Sequence, residues 1–467
     1  LGNGKNFKVS GDKIVAIGAA GSEFCWKFLP GIIRTEDLHG MELVLVDTNG
    51  EMLSLVERLA RRMNHEWNAD MRITATTERR EALLGARCVL LSVAVDRENS
   101  WKKDQELALH FGIAHYAENG GPGAFAHTCR NLALTMPIIR DIEQLAPSAF
   151  LINFTNPLAR ICTAIQRLTD IPWIGICPAI DRAYFLIATI LHAELGLELP
   201  VDPRLRRENG VIARFQSWHE IARKRYSIKA AGLNHFTWIL GVRDRTSGED
   251  LYQHVRKKLL DLPESFEPLT RSLAKVYGLL PATGDDHISE YLPFTSEANS
   301  GTWEQFGIQA FDFEFSKERR RRRFQFIRDA ADGNGSIDTL KEVYTDRIEN
   351  ILTPLLCGQE NFEDAVNIPN RGYISNLPEN AVVEVSGTIN AETVTGSHVG
   401  NLPEAIAALC RTQISINDLN VQAFVRGDRN LVYQLFSIDP MIHDLRVATR
   451  LADAYIETYR DILPMFG

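Results

Sequence analysis

The sequence predicts an α/β protein, a doubly wound parallel sheet followed by a second α+β domain, on three observations. Short apolar runs alternate with segments of helical period across residues 1–190. The first of these runs feeds a glycine turn, and the second ends in an acid. Beyond residue 190 the pattern changes to β-rich and long helical stretches, which sets the second domain at 191–467.

The elements follow in order. "KIVAIGAAGSEF" at 13–24 is a strand, a turn and a helix start, and "MELVLVDTNG" at 41–50 repeats the strand. Strands buried on both faces read as continuous apolar runs, so "ARCVLLSVAV" (86–95), "AFLINFTNP" (149–157) and "PWIGIC" (172–177) continue the parallel sheet. Residues 127–144 have helical period between two of them. "YSIKAAGLNHFTWILGVRD" at 226–244 predicts antiparallel strands, and 250–280, 335–360 and 402–463 predict helices. The arginine run at 319–323 reads as an exposed, solvated or subunit-contacting helix face.

Composition narrows the function. A net charge of −9 argues against general affinity for nucleic acid or anionic membrane, because binding phosphate needs an excess of cations. Seven scattered cysteines without a CxxC pair point to reduced thiols in a cytoplasm. No apolar run reaches the roughly 18 residues that cross a bilayer, and no signal-peptide pattern is expected at the N-terminus. A small-molecule substrate follows.

In the first half, Gly18 and Gly21 bracket a turn at which a helix N-terminus would face a pyrophosphate, with Ser22, Glu23 and Phe24 opening the helix. Asp47, at the end of the second strand, is placed to accept hydrogen bonds from ribose hydroxyls, so the cofactor expected of this Rossmann-type half is NAD rather than NADP. GAAGSE carries Ala20 where the fingerprint has its middle glycine, so the pattern alone is weak, and a purely structural turn that binds nothing is the lesser alternative.

Single residues downstream are ambiguous. Cys177 in "GICP" is a small buried hydrophobe or a ligand at a strand end, and His235 in "GLNHF" is a structural histidine or a metal ligand. "NFTNP" reads as a turn ahead of Pro157. "PATGDDHISEYLPF" at 281–294 crowds titratable groups, and reads as a helix start capped by Thr283 or Asp285 or as a catalytic loop.

Taken in order, "KIVAIGAAGSEF", "LVDTN", "GGPGAFAHTCRN", "NFTNP", "GIC", "GLNHF" and "TGDDHISEYLPF" resemble the NAD-dependent glycoside hydrolases of family 4. The resemblance implies the lactate/malate dehydrogenase type of fold, bound NAD, a divalent metal such as Mn²⁺ on Cys177 and His235, and a homodimer or homotetramer. It implies Tyr291 as the base that takes the sugar's C2 proton, with Asp285 and Asp286 as partners in proton relay or hydroxyl binding. Asn156, Asn234, His127 and Arg130 would touch the substrate, and Asn153 would shape the cofactor end of its strand. The implied reaction is oxidation at C3, deprotonation at C2, elimination of the aglycone, water addition and re-reduction, in contrast to the two-carboxylate route of most glycosidases. Pro178 stands where relatives carry a group able to transfer a proton, which disfavours a 6-phosphosugar and leaves an acidic or modified hexoside open. The competing reading is a dehydrogenase of the lactate/malate type that releases NADH.

Overall fold

The computed structural model describes residues 12–199, 209–298 and 301–467. Its first six strands are β1 (Lys13–Ile17), β2 (Glu42–Val46), β3 (Arg72–Thr76), β4 (Ala86–Leu91), β5 (Phe150–Asn153) and β6 (Trp173–Gly175). They pair in parallel in the order β3-β2-β1-β4-β5-β6. The period-2 alternation of a strand explains why the runs are apolar throughout. On β1, Ile14 and Ala16 enter the core on one face with Leu43 and Leu45, while Val15 and Ile17 enter the other with Val89 and Leu91.

The remaining strands are β7 (Tyr226–Leu233), β8 (Phe236–Asp244), β9 (Leu280–Pro281), β10 (Asn361–Pro369), β11 (Val382–Ile389) and β12 (Val394–Gly396). They extend the same sheet in antiparallel fashion: β10 joins β6, then β11, β7, β8 and β9 follow, with β12 on β11. The second half therefore builds onto the parallel half through shared backbone hydrogen bonds.

The 226–244 stretch is the expected antiparallel hairpin, β7 and β8 closing around Asn234 and His235. The helical expectation for 250–280 resolves into Tyr252–Leu259 and Pro268–Tyr277, whereas in 335–360 only Ile348–Cys357 is an α-helix. At the C-terminus, three helices (Glu404–Arg426, Arg429–Ile438 and Leu445–Thr458) bury Phe436, Leu451 and Tyr455 against Phe125 and Cys129 of the helix Gly121–Leu145.

The arginine run lies on the helix Phe313–Ala331, and its expected solvent exposure is only half right. Arg321 and Arg322 are exposed and pair with Glu318, but Arg319, Arg320 and Arg323 turn inward to line a cavity of about 970 Å³. A 3.6-residue period puts positions 319, 320 and 323 on one side of the helix, which composition alone does not reveal.

Candidate active site

A cavity of about 970 Å³ opens along the carboxyl ends of β1, β2, β4, β5 and β6. In such sheets ligands bind where the strand order reverses, here between β2 and β4 on either side of β1. Gly18 leaves β1 with φ +90°, and a Cβ there would stand 2.1 Å from the Ser92 carbonyl oxygen, so only glycine fits. The first bond of the following helix runs from Cys25 N–H to Gly21 O, so the amides of Ser22, Glu23 and Phe24 have no intrahelical acceptor. Asp47 accepts from Ala20 N–H at 3.0 Å and from Asn49 N–H at 3.0 Å, and still faces the cavity. Glu23, an acid at a helix N-terminus, is neutralised by Arg323 and by Lys27 at 3.6 Å. Phe24 lines the cavity from a position almost wholly in the core.

At the other end of the cavity, Cys177 follows β6 and its Sγ lies 3.3 Å from His235 Nε2. That separation suits neighbouring ligands of one cation bonded at about 2.3 Å to sulfur and 2.1 Å to nitrogen. His235 occupies the hairpin turn with φ +62°, a left-handed conformation unusual for a residue with a side chain. Glu384 on β11 holds that turn: its carboxylate accepts from Asn234 Nδ2 at 2.8 Å, Thr237 Oγ1 at 2.6 Å and Asn367 Nδ2 at 2.9 Å.

The far ring nitrogen of His235, Nδ1, sits 3.3 Å from Asn119 Nδ2, while the buried Asn119 Oδ1 has no hydrogen-bond partner among the described residues. Turning the amide over lets Oδ1 accept from Nδ1–H and leaves the Nε2 lone pair facing Cys177, the tautomer a metal needs. Burial first, then the charge of His287, push His235 down to about 3, so the imidazole is neutral at physiological pH. Burial, reinforced by Glu384, pushes the Cys177 thiol up to about 12, so loading a cation must displace its proton.

Glu118 and Glu384 were not anticipated. Glu118, His235 and His287 each offer an atom within 4.8 Å of the others. Burial tends to raise the Glu118 carboxyl, but Arg97 at 2.6 Å, then His287 and His235, outweigh it and hold it at about 2. Glu118 also accepts from Asn156 Nδ2 at 3.3 Å, and its carbonyl oxygen lies 2.8 Å from His127 Nδ1. Glu290, fully buried, fixes this loop by accepting from the Glu118 and Asn119 amides at 2.6 and 3.1 Å. A pattern signal existed for Glu384, a lone acid inside the apolar run "VVEVSG"; Glu118 sits in a loop with none.

The structure sorts the anticipated residues. Cys177, His235, Asn156 and His127 line the cavity with Gly18, Gly21, Ser22, Glu23, Phe24 and Asp47. Asn153 does not: its side chain is spent on the backbone of Thr155, shaping the turn after β5. Asn234 faces Glu384 as described. Arg130, expected at the substrate, is buried in a two-pronged ion pair with Asp104 at 3.1 and 2.6 Å, away from the cavity lining. Asp285, expected in catalysis, caps the helix Pro268–Tyr277, accepting from Leu269 N at 2.9 Å, Thr270 N at 2.8 Å and Thr270 Oγ1 at 2.7 Å. Asp286 lies 3.6 Å from Arg182 and lines a smaller cavity of about 360 Å³ that shares Arg182, His287, Ser316 and Arg319 with the first. Tyr291 packs its ring on Phe236 at 5.1 Å and is buried behind the cavity wall. Burial and then Glu290 push its phenol well above its ordinary value, against Arg160.

Comparison with known proteins settles the family. The family 4 glycosyl hydrolase model matches residues 13–192, and the model of that family's C-terminal domain matches 230–442. The chain belongs to glycosyl hydrolase family 4. This family 4 enzyme is 29% identical to an alpha-glucosidase of Erwinia rhapontici over 95% of its own length and 97% of the relative's. Its fold matches Bacillus subtilis lplD with a TM-score of 0.80 at 25% identity, covering 95% of this chain and 99% of lplD. A 6-phospho-alpha-glucosidase from gut microorganisms, solved with NAD and Mn²⁺, superposes with a TM-score of 0.76 at 20% identity over 97% and 99% of the two chains. The family 4 chain is thus a glycosidase built on a doubly wound sheet.

Proposed function

We propose that this glycosidase hydrolyses a hexoside lacking a 6-phosphate by redox-assisted elimination, with NAD and a divalent metal such as Mn²⁺ as its cofactors. The observation that carries the reading is the Cys177–His235 pair, 3.3 Å apart, on the same cavity as Gly18 and Asp47. When bound, NAD would supply a hydride acceptor and donor for sugar C3, and the metal would supply Lewis-acid stabilisation of the charge that develops there.

The protein's own residues do the rest. Cys177 and His235 hold the cation, and Asn119 fixes the imidazole from behind. Gly18 and the amides of Ser22, Glu23 and Phe24 receive the pyrophosphate, and Asp47 the ribose. Asn156, tied to Glu118, and His127, kept neutral at about 3 by burial and then Arg130, present polar groups to the sugar. Tyr291 is the base assigned to the C2 proton: its phenol, behind the cavity wall, is within electrostatic range of Cys177 and Glu118 and would have to reach the sugar through that wall. Asp286 is the carboxylate left to relay protons, since Asp285 is committed to its cap. Pro178, directly after the ligand cysteine, offers no acid for a leaving group.

A cytoplasmic homo-oligomer completes the reading. All seven cysteines are free, and among the described residues no helix is long and apolar enough to cross a membrane.

The test is turnover of nitrophenyl hexosides with NAD⁺ and Mn²⁺ in D₂O. Aglycone release with catalytic NAD⁺, no net NADH and deuterium at C2 is expected. Tyr291→Phe should lower kcat by about a hundredfold or more, the usual range for a proton-transfer group; unchanged turnover in that variant removes Tyr291 as the base, and stoichiometric NADH without cleavage removes the mechanism.

A further inference from the structure

The helix Phe313–Ala331, from the second half of the chain, walls the main cavity beside the glycine turn of the first half. Side chains on its inner face fasten it there. Arg323 pairs with Glu23, Arg320 pairs with Glu98 at 2.6 Å, and Ser316 Oγ donates to Glu98 at 2.9 Å. Trp26, just after the glycine turn, packs edge-on against Phe326 at 5.3 Å. Residue 319 lies three positions after Ser316 and four before Arg323, so helical phase brings it to the same face, over the cavity.

The neighbouring cations each have an acid of their own. Arg97 has Glu118 at 2.6 Å, Lys27 has Asp346 at 3.0 Å, and Arg320 and Arg323 have the acids just named. Arg319 differs: among the described residues no acid lies within ion-pair distance of its guanidinium, and Glu23 and Glu98 act on it from farther away. Burial works against its cation, and the charges of Arg323 and Arg97 add to that. A half-buried guanidinium that lines a cavity without an acid beside it suits an anion brought by a ligand.

Two observations place that anion along the cavity. Glu23, foremost among the charges that act on Arg319, belongs with Ser22 and Phe24 to the free amides at which a pyrophosphate would sit. Arg319 also shares with His287 the wall between the main and the smaller cavity, and His287 lies edge-on to His235 at 4.5 Å. It therefore stands between the glycine turn and the Cys177–His235 pair rather than at the adenosine end marked by Asp47.

Resting on the cofactor placement above, we infer that Arg319 reaches from the second half of the chain to bind the nicotinamide-side phosphate of NAD, complementing the free amides of the first half. A guanidinium fork matches two phosphate oxygens, which a point charge does not. The cofactor is then held by both halves of the chain, which suits a reaction that takes a hydride, returns it and releases no NADH.

The experiment is calorimetric titration of the whole chain with NAD⁺, ADP-ribose and AMP, without glycoside. ADP-ribose carries the nicotinamide-side phosphate and AMP lacks it. Arg319→Met should weaken NAD⁺ and ADP-ribose about ten- to a hundredfold, the range of a charge-assisted arginine pair, while AMP changes less than about threefold. Arg319→Lys should recover part of the loss, because the charge remains and the fork does not. Arg322→Met removes an exposed cation from the same helix and should leave all three affinities as in wild type. Melting temperatures check folding, and the ratio of ADP-ribose to AMP affinity within one variant stays readable if Arg319→Met is partly unfolded. The inference is overturned by an ADP-ribose affinity that survives Arg319→Met, by equal losses for AMP and ADP-ribose, or by the same loss in Arg322→Met. A wild-type chain that binds none of the three nucleotides overturns the cofactor placement along with it. Failure to cleave any nitrophenyl glycoside, with the nucleotide differences intact, counts against the proposed reaction alone.

Discussion

Arg130 offers the sharpest separation between a structural and a substrate role. Its guanidinium grips Asp104 with two hydrogen bonds of 3.1 and 2.6 Å, lies 4.2 Å over the Tyr459 ring, and is 1% exposed. Tyr459 OH donates to the same carboxylate at 2.6 Å, and Tyr455 OH to the Asp104 carbonyl at 2.7 Å. Burial pushes the Asp104 carboxyl up to about 6 even with Arg130 and Tyr459 pulling it down, so the pair is ionised at pH 7 only while the arginine is present. Arg130→Met leaves an acid in a dry site with a single side-chain donor, and one-sided loss of a buried pair costs about 3–5 kcal/mol. Removing both partners, Asp104→Leu with Arg130→Met, should recover most of that loss, because two apolar groups of similar size carry no desolvation debt. Urea unfolding of wild type, both single variants and the double variant measures this directly. A loss below about 1 kcal/mol in Arg130→Met, the range of an exposed ion pair, together with a raised KM for glycoside, would refute the structural assignment and return Arg130 to the substrate.

Other outcomes follow from the same geometry. Asp285→Ala should lower stability by about 1–2 kcal/mol, the scale of a lost helix cap, seen as a reduced melting temperature with kcat retained. Gly18→Ala should weaken NAD⁺ by about ten- to a hundredfold in a fluorescence titration, because a Cβ 2.1 Å from Ser92 O forces the loop under the pyrophosphate to move. Mn²⁺ affinity should rise about tenfold per pH unit between pH 6.5 and 8.5. The sign follows from Cys177: its thiol, pushed up to about 12, must release a proton on binding, whereas His235, pushed down to about 3, has none to give. An affinity independent of pH, measured by Mn²⁺ titration in matched buffers, excludes the thiol as a ligand.

Five strands of the parallel half were legible because they are buried on both faces, which writes an apolar run, and because the turn after β1 tolerates nothing but glycine; the edge strand β3, with Arg72 exposed and Thr74 and Thr76 half-buried, writes no such run and was missed. The metal pair was legible only through the order of several short motifs. Cys177 and His235 are 58 residues apart in sequence and meet because β10 and β11 insert between β6 and β7, a connection no local pattern encodes. The errors share one cause. Asp285 and Arg130 were read as chemistry because charged groups in such motifs look reactive, but a carboxylate is equally suited to the free amides of another helix, and a guanidinium to a buried acid. Conversely, the arginine run read as solvent-facing because composition has no direction; helical phase decided which three faced inward.

The position of Tyr291 ties the proposed base to the metal more tightly than sequence suggests. A phenol buried against Phe236 and beside Glu290 resists ionisation, and Glu118 and Cys177 add to that resistance. The cation the fold supplies against them is Arg160, itself 1% exposed, with Nη1 hydrogen-bonded to Asn420 at 2.9 Å and Nε and Nη2 without partners among the described residues. Burial and Glu290 outweigh that one buried guanidinium and leave Tyr291 protonated when the Cys177–His235 pair stands alone. Two further positive charges at that pair would offset Cys177 and Glu118 together and turn the balance toward the phenolate. On the proposed reaction, a cation held by Cys177 and His235 would therefore decide whether Tyr291 ionises, so loss of either proposed ligand should remove proton abstraction and metal binding in one step rather than two.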